Sequence, residues 1–508
     1  MTHLRSRRRR LVAPLGLVLT LATLGVAPAA QAAAPADVPT ASTQTGPKLP
    51  YVVNTRTDHR TISSVEKAIA KAGGEVVITY RQIGVIVVHS TNPSFGEQIR
   101  KVRGVQSAGA TRTAPLAPAG ITREGSVQEL TPEDAAKITA QAGKGQEPLE
   151  PEQWDLRAIG ADKAAKINDG SRRVTVGVID TGVDDTHPDL APNFSASQSA
   201  NCVGGKPDTS PGAWRPADPS HDHGTHVAGE IAAARNGIGV AGVAPGVKVA
   251  GIKVAEPDTQ LFFPESVVCA FVFAADKGIE ITNNSYYVDP WLYNCMNDPD
   301  QRAIVDAVNR SQLYAQRKGT LNVAAAGNSN HDLDSDAIVD DSSPDDVETP
   351  QTRTIDPHEC FDIPTQLPGV VTVSSVGVKG TKSYFSTYGK GVIDVAAPGG
   401  DKYQIPDTPL KNGRILSTVP GGGWDYMQGT SMASPHASGV AALLKSEYPW
   451  ASPKQLQAML KAQADNPGCP TAPYDGDGDG VVDAWCKEGK RTNGFFGAGV
   501  VNALDAVK

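Results

Sequence analysis

Three histidines, His221, His223 and His226, lie close together in the stretch HDHGTHVAG. Such a cluster is typical of a metal site or of a group that transfers protons. The spacing i, i+2, i+5 prevents the three side chains from sharing one helix face, and no glutamate stands as it does in the zinc motif HExxH. Zinc is therefore the weaker interpretation, and packing of one or two histidines at a helix start is a further alternative.

The composition is that of a globular protein, with 40% apolar and 20% charged residues and a net charge of −8 in 508 residues. This length fits one large enzyme domain with appendages or more than one domain. A nucleic-acid-binding protein would need a basic face, and the charge balance does not indicate one.

The N-terminus has the layout of a secretory signal peptide, predicted over residues 1–32. Arginines precede the apolar run LVAPLGLVLTLATLGVA, and small residues lead to AQA at Ala32. An uncleaved anchor is the alternative. No later apolar run approaches the length of about 20 residues that a membrane helix needs, so we expect an extracellular protein without a membrane span after signal removal.

The cysteines form an even set of six, which fits up to three disulfides in an oxidising compartment. Spacing favours a bond between Cys469 and Cys486, and the other pairings stay open. Cys269 lies in the apolar run SVVCAFVFAADKG and is equally compatible with a buried free thiol. The remaining cysteines are Cys202, Cys295 and Cys360.

A small α+β domain is predicted over residues 51–112, because strand and helix patterns alternate there as β-α-β-β-α-β, a ferredoxin-like order. Residues 33–50 are rich in Ala, Pro and Thr and predict a flexible lead. Residues 113–150 predict an exposed connector with one short helix at best.

The large domain, residues 151–508, is predicted to be an α/β fold with a doubly wound, mostly parallel sheet and helices on both faces. Its strand candidates are nearly continuous Val, Ile and Ala, as strands covered on both faces require. They are RVTVGVIDTG, VKVAGIKV, IEITNNS, TLNVAAAGN and VVTVSSVG. Long polar insertions separate them, and the acidic one at 330–366 is predicted to be a solvated loop that could also bind cations.

Functional groups of open α/β sheets gather beyond the carboxyl ends of the strands, where Asp180 and Asn328 are predicted to lie. His223 stands at a predicted helix start, and Ser431 stands at the entrance of the apolar helix in QGTSMASPHASGVAALLKSEYP. The helix macrodipole favours developing negative charge at such an entrance. Ser431 needs a base to act as a nucleophile, and His436 on the same helix cannot reach back. The base must therefore come from the sequence upstream of Ser431, which gives the chain order Asp180, His223, Ser431.

That order on an α/β sheet resembles the subtilisin-like serine proteases, as do four motifs, VIDTGVDDTHPDL, HGTHVAG, AAAGN and GTSMASPHASG. The resemblance covers about residues 153–508, and by pattern residues 51–112 resemble the family's inhibitor-like propeptide. It implies that Ser431 attacks the scissile carbonyl, His223 transfers the proton and Asp180 orients the imidazole. Asn328 would supply an oxyanion donor beside the Ser431 N–H. The histidine cluster is then interpreted as a site of proton transfer, with His226 packed on the first helical turn and His221 facing solvent.

The expected substrate groove departs from the family pattern. Where relatives have Ser-Leu-Gly-Gly, this sequence has Ser285, Tyr286, Tyr287 and Val288. Together with Gly327, the first three are the expected substrate-contacting residues. Two tyrosines in place of small residues would reshape the side-chain pocket, and core packing is an equally good interpretation of them.

Two calcium sites are predicted, and no organic cofactor. Asp189 with NGIGVAGVAP resembles the family's tight calcium loop, with Asn236, Ile238 and Val240 as further ligands. In YDGDGDGVVDAWC the predicted ligands follow EF-hand spacing, but Cys486 replaces the final glutamate, and a bare glycine-aspartate turn is the alternative. These ligands are Asp475, Asp477, Asp479 and Asp483.

These features together predict a secreted, monomeric serine endopeptidase made as a self-processing zymogen. Its partners would be protein or peptide substrates and its own propeptide, which would inhibit it in the same chain. The competing hypothesis is a catalytically silent secreted binding protein whose groove is blocked by Tyr286 and Tyr287.

Overall fold

The computed structural model describes residues 46–115 and 127–508. The predicted signal peptide, residues 1–32, lies outside the described residues, as does most of the predicted lead. Among the described residues, no helix combines the length and the apolar composition needed to cross a membrane.

The N-terminal domain has the predicted β-α-β-β-α-β order. Its antiparallel sheet has the strand order β2-β3-β1-β4. The elements are β1 (Leu49–Thr55), α1 (His59–Lys71), β2 (Gly74–Tyr80), β3 (Val85–Ser90), α2 (Phe95–Arg100) and β4 (Val105–Ala110). Asp58 begins α1 by accepting a hydrogen bond from the Thr61 N–H at 2.9 Å. The first strand begins at Leu49, inside the predicted lead, because its pairing with β3 starts there.

The C-terminal domain is built on a seven-stranded sheet in which every pair of neighbouring strands is parallel. All five predicted strands are present, and the sheet order is β16-β15-β11-β9-β6-β8-β7. The strands are β6 (Thr175–Asp180), β7 (Ala200–Asn201), β8 (Lys248–Lys253), β9 (Ile281–Asn284), β11 (Leu321–Ala325), β15 (Val371–Val376) and β16 (Val395–Pro398). Every residue of the central strand β6 is buried, which fits the apolar run Val176–Ile179 within it.

Helices cover both faces of this sheet, as predicted for a doubly wound fold. One face, with Val176 and Val178, packs against α6, α9 and the C-terminal helices. The opposite face, with Ile179 and Ile252, packs against α7 and α8. The helices of this domain are α4 (Trp154–Ala158), α5 (Ala161–Ala164), α6 (His223–Ala232), α7 (Pro264–Asp276), α8 (Pro299–Lys318), α9 (Thr430–Glu447), α10 (Pro453–Ala462) and α11 (Ala503–Ala506).

The N-terminal domain packs against α7 and α8 through a continuous apolar core and buried hydrogen bonds. Asn54 donates to the Ala303 carbonyl at 2.9 Å, and Tyr80 donates to the Gly205 carbonyl at 2.6 Å. A Cβ placed on Gly109 would lie 2.4 Å from the Cα of Asp300, so the two backbones meet where any side chain would intrude.

The described part of the connector is largely exposed, although a few of its residues are buried. It forms one short helix, α3 (Pro132–Thr139), and one short strand, β5 (Gln128–Glu129). Ile138 and Leu149 are buried in an apolar cluster of the C-terminal domain. These two side chains are isolated apolar residues in a polar sequence, so their burial depends on the surface that they meet.

Smaller sheets make up the insertions. The acidic insertion, predicted as a solvated loop, contains the antiparallel pair β12 (Ile338–Ser343) and β13 (Gln351–Ile355). A second pair is β10 (Asn294–Cys295) with β14 (Cys360–Phe361). A third sheet joins β17 (Ile415–Val419) and β18 (Gly423–Met427) to β5.

All six cysteines form disulfides. The predicted bond between Cys469 and Cys486 is present, and the other pairs are Cys202 with Cys269 and Cys295 with Cys360. The free-thiol interpretation of Cys269 is wrong, because the end of the β7 region brings Cys202 against α7.

Candidate active site

Asp180 and His223 form a hydrogen-bonded pair at the carboxyl end of the central strand. Asp180 is the last residue of β6 and is fully buried, and His223 is the first residue of α6. The His223 Nδ1 lies 2.8 Å from Asp180 Oδ1 and 3.0 Å from Oδ2. The Thr181 N–H also donates to Asp180 Oδ1, at 2.7 Å, which fixes the carboxylate. A carboxylate that accepts at Nδ1 leaves Nε2 as the proton acceptor of the ring.

Ser431 is the second residue of α9, and it lines the same cavity as His223. Its hydroxyl donates to the Ser285 carbonyl at 3.2 Å, and its own carbonyl accepts from the Ser285 hydroxyl at 2.8 Å. The strand end after β9 therefore holds the start of α9 in place. Hydroxyl groups of catalytic serines often make other hydrogen bonds without substrate.

The carboxamide of Asn328 has a fixed orientation. Its Oδ1 accepts from the Thr430 N–H at 2.8 Å and from the Thr430 hydroxyl at 2.9 Å. Because the oxygen is engaged by two donors, Nδ2 is the atom left for a further acceptor. Asn328 lines the cavity beside Ser431, so this amide can donate to a group bound there.

The cavity at this site has a volume of about 530 Å³ and includes all four predicted substrate-contacting residues. The ring of Tyr286 stacks on Phe262, and its hydroxyl donates to Asn284 Oδ1 at 2.9 Å. The Tyr287 hydroxyl donates to Asp345 Oδ2 at 2.7 Å. Both tyrosines therefore pack against neighbouring residues and also line the cavity. Core packing and substrate contact, the two interpretations that the sequence left open, are both compatible with this position.

Sequence reasoning missed several cavity residues, among them Asp362, Asp289, Asp341 and His331. All but Asp289 lie in the acidic insertion at 330–366. No periodicity or motif marks them, and only the path of the chain brings them to the cavity.

The histidine cluster does not converge on a metal. His226 is buried, with Nδ1 2.8 Å from Glu230 and Nε2 3.1 Å from the Asp425 carbonyl, so it packs as predicted. The prediction that His221 faces solvent is wrong, because its side chain is buried and Nε2 lies 3.4 Å from Asp218. The three imidazoles therefore pair with three different carboxylates.

The predicted tight calcium loop is assembled around Asp189. Its Oδ2 accepts from the Val240 N–H at 3.1 Å, and Asn236 Nδ2 donates to the Pro188 carbonyl at 3.1 Å. Asn236 Oδ1 accepts from the Ile238 N–H at 3.0 Å. Asp189 Oδ1 is buried and has no hydrogen-bond partner among the described residues, and burial raises the pKa of this carboxyl to about 6. An orphaned carboxylate oxygen fits a cation at this position.

The structure brings together three of the four acids predicted in the second calcium loop. Carboxylate oxygens of Asp475, Asp477 and Asp483 lie within 4.8 Å of one another. Asp479 lies outside this group, and its Oδ1 accepts from the Val481 N–H at 2.7 Å. In the part of the chain that the structure describes, this is the one group of three or more His, Cys, Asp or Glu side chains spaced for a metal.

Comparisons with known proteins identify the family of this chain. Residues 171–499 match the subtilase family. Fervidolysin from Fervidobacterium pennivorans is 28% identical over 435 residues, which are 79% of this chain and 53% of fervidolysin. This chain therefore spans about half the length of that relative. Subtilisin BL from Lederbergia lenta is 30% identical over 331 residues, covering 65% of this chain and 96% of subtilisin BL.

Solved structures show the same fold. The epidermin leader peptide processing serine protease from Staphylococcus aureus superposes with a TM-score of 0.65 and 23% identity, over 91% of this chain and 98% of that one. The fervidolysin crystal structure has a TM-score of 0.59 and 24% identity, over 91% of this chain and 61% of that one. The fold and the family match define one class, and this chain belongs to the subtilase family of serine proteases.

Proposed function

We propose that the protein is a secreted serine endopeptidase, made as a self-processing zymogen, that cleaves peptide bonds in proteins. The observation that carries the proposal is the hydrogen-bonded pair of Asp180 and His223 on the cavity that Ser431 and Asn328 also line. A nucleophile, a base and its orienting carboxylate are the groups that acyl transfer needs.

The reaction follows from the roles of these atoms. The Ser431 hydroxyl turns from the Ser285 carbonyl to His223 Nε2, loses its proton there and attacks the scissile carbonyl carbon. The charge that develops on the carbonyl oxygen is stabilised by Asn328 Nδ2 and the Ser431 N–H. His223 then protonates the leaving amine, and a water molecule hydrolyses the acyl-enzyme by the same steps. Asp180 holds the Nδ1–H tautomer throughout.

Replacing the nucleophile tests this function. We expect Ser431→Ala to lower kcat by about six orders of magnitude, as loss of a triad serine does in a related site. Cleavage of unfolded casein and covalent labelling by a fluorophosphonate are the two measurements. Undiminished casein cleavage by the purified variant would contradict the proposal.

The N-terminal domain is proposed to act as an intramolecular chaperone and inhibitor that is later cut off. Its buried interface with α7 and α8 supports this role. In Ser431→Ala the chain should stay at zymogen size, and a trace of active wild-type enzyme should cut it. A variant that matures alone would disprove self-processing.

Calcium is proposed to stabilise the two loops described above rather than to take part in the reaction. The orphaned Asp189 Oδ1 supports the first site, and the cluster of three aspartates supports the second. Melting curves of Ser431→Ala with calcium and with a chelator test this. Asp189→Asn and Asp477→Asn should each lose part of the calcium-dependent shift, and a shift unchanged in both variants would contradict the proposal.

The competing binding-protein hypothesis requires a blocked groove. Tyr286 and Tyr287 line the cavity without filling it, which supports an enzyme instead. Failure of the purified wild-type protein to react with a fluorophosphonate would favour the binding protein. We further propose that the mature enzyme is monomeric and extracellular.

A further inference from the structure

Asp362 is a buried carboxyl group in the wall of the catalytic cavity, and the reaction described above does not use it. It is 3% exposed, and its Oδ1 has no hydrogen-bond partner among the described residues. A Cβ placed on Gly327, the neighbour of Asn328, would lie 3.6 Å from Asp362 Oδ2. The carboxyl group therefore stands beside the chain segment that carries the proposed oxyanion donor.

In the part of the chain that the structure describes, the cavity lining has acidic residues that no lysine or arginine balances. Within the described residues, its lining includes Asp289, Asp341 and Asp362 but neither lysine nor arginine. Asp289 accepts a hydrogen bond from the Phe262 N–H, and the side chain of Asp341 is exposed to solvent. Asp362 is thus the one of the three that is buried with an oxygen lacking a partner.

We propose that Asp362 determines specificity by receiving the cationic side chain, arginine or lysine, of the substrate residue on the acyl side of the cleaved bond (the P1 residue). This inference rests on the proposed function and names the substrate class of the same site. A buried carboxyl group without a counter-charge gains both a counter-charge and a hydrogen-bond donor when a cation enters.

The electrostatics of Asp362 support this role. Burial raises the pKa of Asp362 well above its usual range, and the Thr365 hydroxyl offsets only part of that effect. A guanidinium or ammonium group nearby favours the ionised carboxylate and forms charge-assisted hydrogen bonds with it. An apolar P1 side chain would leave the Oδ1 atom unpaired, and a site with unpaired buried polar groups discriminates strongly against such ligands.

The first test compares wild-type kcat/KM on fluorogenic peptides that differ only at P1. We expect arginine to be preferred over citrulline, its uncharged analogue, by about 10- to 100-fold, the range of a charged hydrogen bond. Lysine should also exceed leucine. A leucine or citrulline peptide cleaved as well as the arginine peptide would overturn the proposal without any variant.

The second test uses Asp362→Asn, which keeps the shape and removes the charge. The ratio of kcat/KM for arginine over citrulline should fall to within about threefold, because the arginine peptide loses the charged partner that the citrulline peptide never used. Asp336→Asn is the matched control, because Asp336 is an exposed aspartate of the same insertion outside the cavity lining, and the ratio should be unchanged. An unchanged ratio in Asp362→Asn would refute the role of this residue.

Fluorophosphonate labelling of Ser431 separates this inference from the proposed function, because the probe has no P1 residue. A wild-type protein that fails to label would refute the peptidase. A protein that labels and cleaves, but has no preference for a P1 cation, would refute the specificity alone.

Discussion

At the scale of single residues, the catalytic geometry depends on side chains whose partners fix their orientation. Asn328 is the clearest case, because both hydrogen bonds to its Oδ1 come from Thr430, the neighbour of the proposed nucleophile. The proposed oxyanion donor, Asn328 Nδ2, therefore has a fixed orientation before substrate binds, which is the condition under which an oxyanion hole is effective.

Removing this donor should affect the transition state more than substrate binding. We expect Asn328→Leu to lower kcat about 100- to 1,000-fold with little change in KM. Steady-state kinetics on one peptide checks this, and Ser431 labelling gives the fraction of folded protein. A kcat within threefold of the wild type would mean that Asn328 is not an oxyanion donor.

The positions of candidate site residues can be predicted where local sequence determines them. Asp180 ends one buried strand and Asn328 follows another, and the carboxyl ends of parallel strands meet at one edge of the sheet whatever the loops do. Asp362 could not be found this way, because its place in the cavity depends on how a polar insertion folds back. His221 was predicted as exposed, but its burial depends on the loop after β6, whose Thr181 hydroxyl donates to the His221 carbonyl at 3.2 Å.

At the scale of elements, α9 is held in the core by a buried ionic network as well as by its apolar faces. His436 Nε2 lies 3.0 Å from Asp155 of α4, and Nδ1 lies 3.2 Å from Glu230 of α6. His226 also contacts Glu230. Burial lowers the pKa of His436, but the hydrogen bonds and charges of Asp155 and Glu230 outweigh it and raise the pKa to about 10.

This network should give a pH-dependent contribution to stability. The pKa of His436 is raised in the folded state, so its contribution is complete below the unfolded value of about 6.5 and is lost as pH rises through about 10. His436→Gln should therefore destabilise the protein by about 3 kcal/mol at low pH, and by less near pH 10.

Urea unfolding of Ser431→Ala with and without His436→Gln, across this pH range, measures the difference without self-digestion. A deficit that stays constant with pH would show that His436 is not charged in the folded protein.

Element predictions succeeded for the five strands of the parallel sheet, whose sequences are rich in Val, Ile and Ala without polar alternation, as strands covered on both faces require. The strand β5 has only two residues, Gln128 and Glu129, and both are polar. It exists because Tyr426 and Asp425 of β18 offer a free edge, so no pattern in its own sequence could predict it.

At the scale of the whole molecule, the N-terminal domain and the catalytic domain are joined where their backbones approach closely. Gly109→Ala would place a methyl group 2.4 Å from the Cα of Asp300 and push the domains apart. We expect a lower yield of mature enzyme from secreted or refolded chains. Gly46→Ala is the control, since the nearest atom to its Cβ would lie 3.4 Å away within the N-terminal domain. Equal yields from both variants would mean that this contact does not assist folding.

The proposed cationic P1 preference also predicts where the proposed self-cleavage would occur. Between Arg112 and Lys137 the sequence has a single lysine or arginine, Arg123, and Val127 four residues later lines the catalytic cavity. We expect the mature N-terminus at Glu124 and slower maturation of Arg123→Gln. N-terminal sequencing of the secreted protein decides this, and an intact Arg123–Glu124 bond in mature enzyme would contradict it.

The pairing of β5 with β18 determines which residues each product of the proposed cleavage would keep. Residues 127–150 pack against the C-terminal domain. Cleavage of any bond upstream of Val127 would therefore leave them attached to that domain and would release only the N-terminal domain. The single chain would then become two molecules, and the fraction of them that stay bound would depend on their concentration. Inhibition by the released N-terminal domain should decrease on dilution. The concentration at which the inhibition is lost measures the affinity of this domain for the surface on α7 and α8.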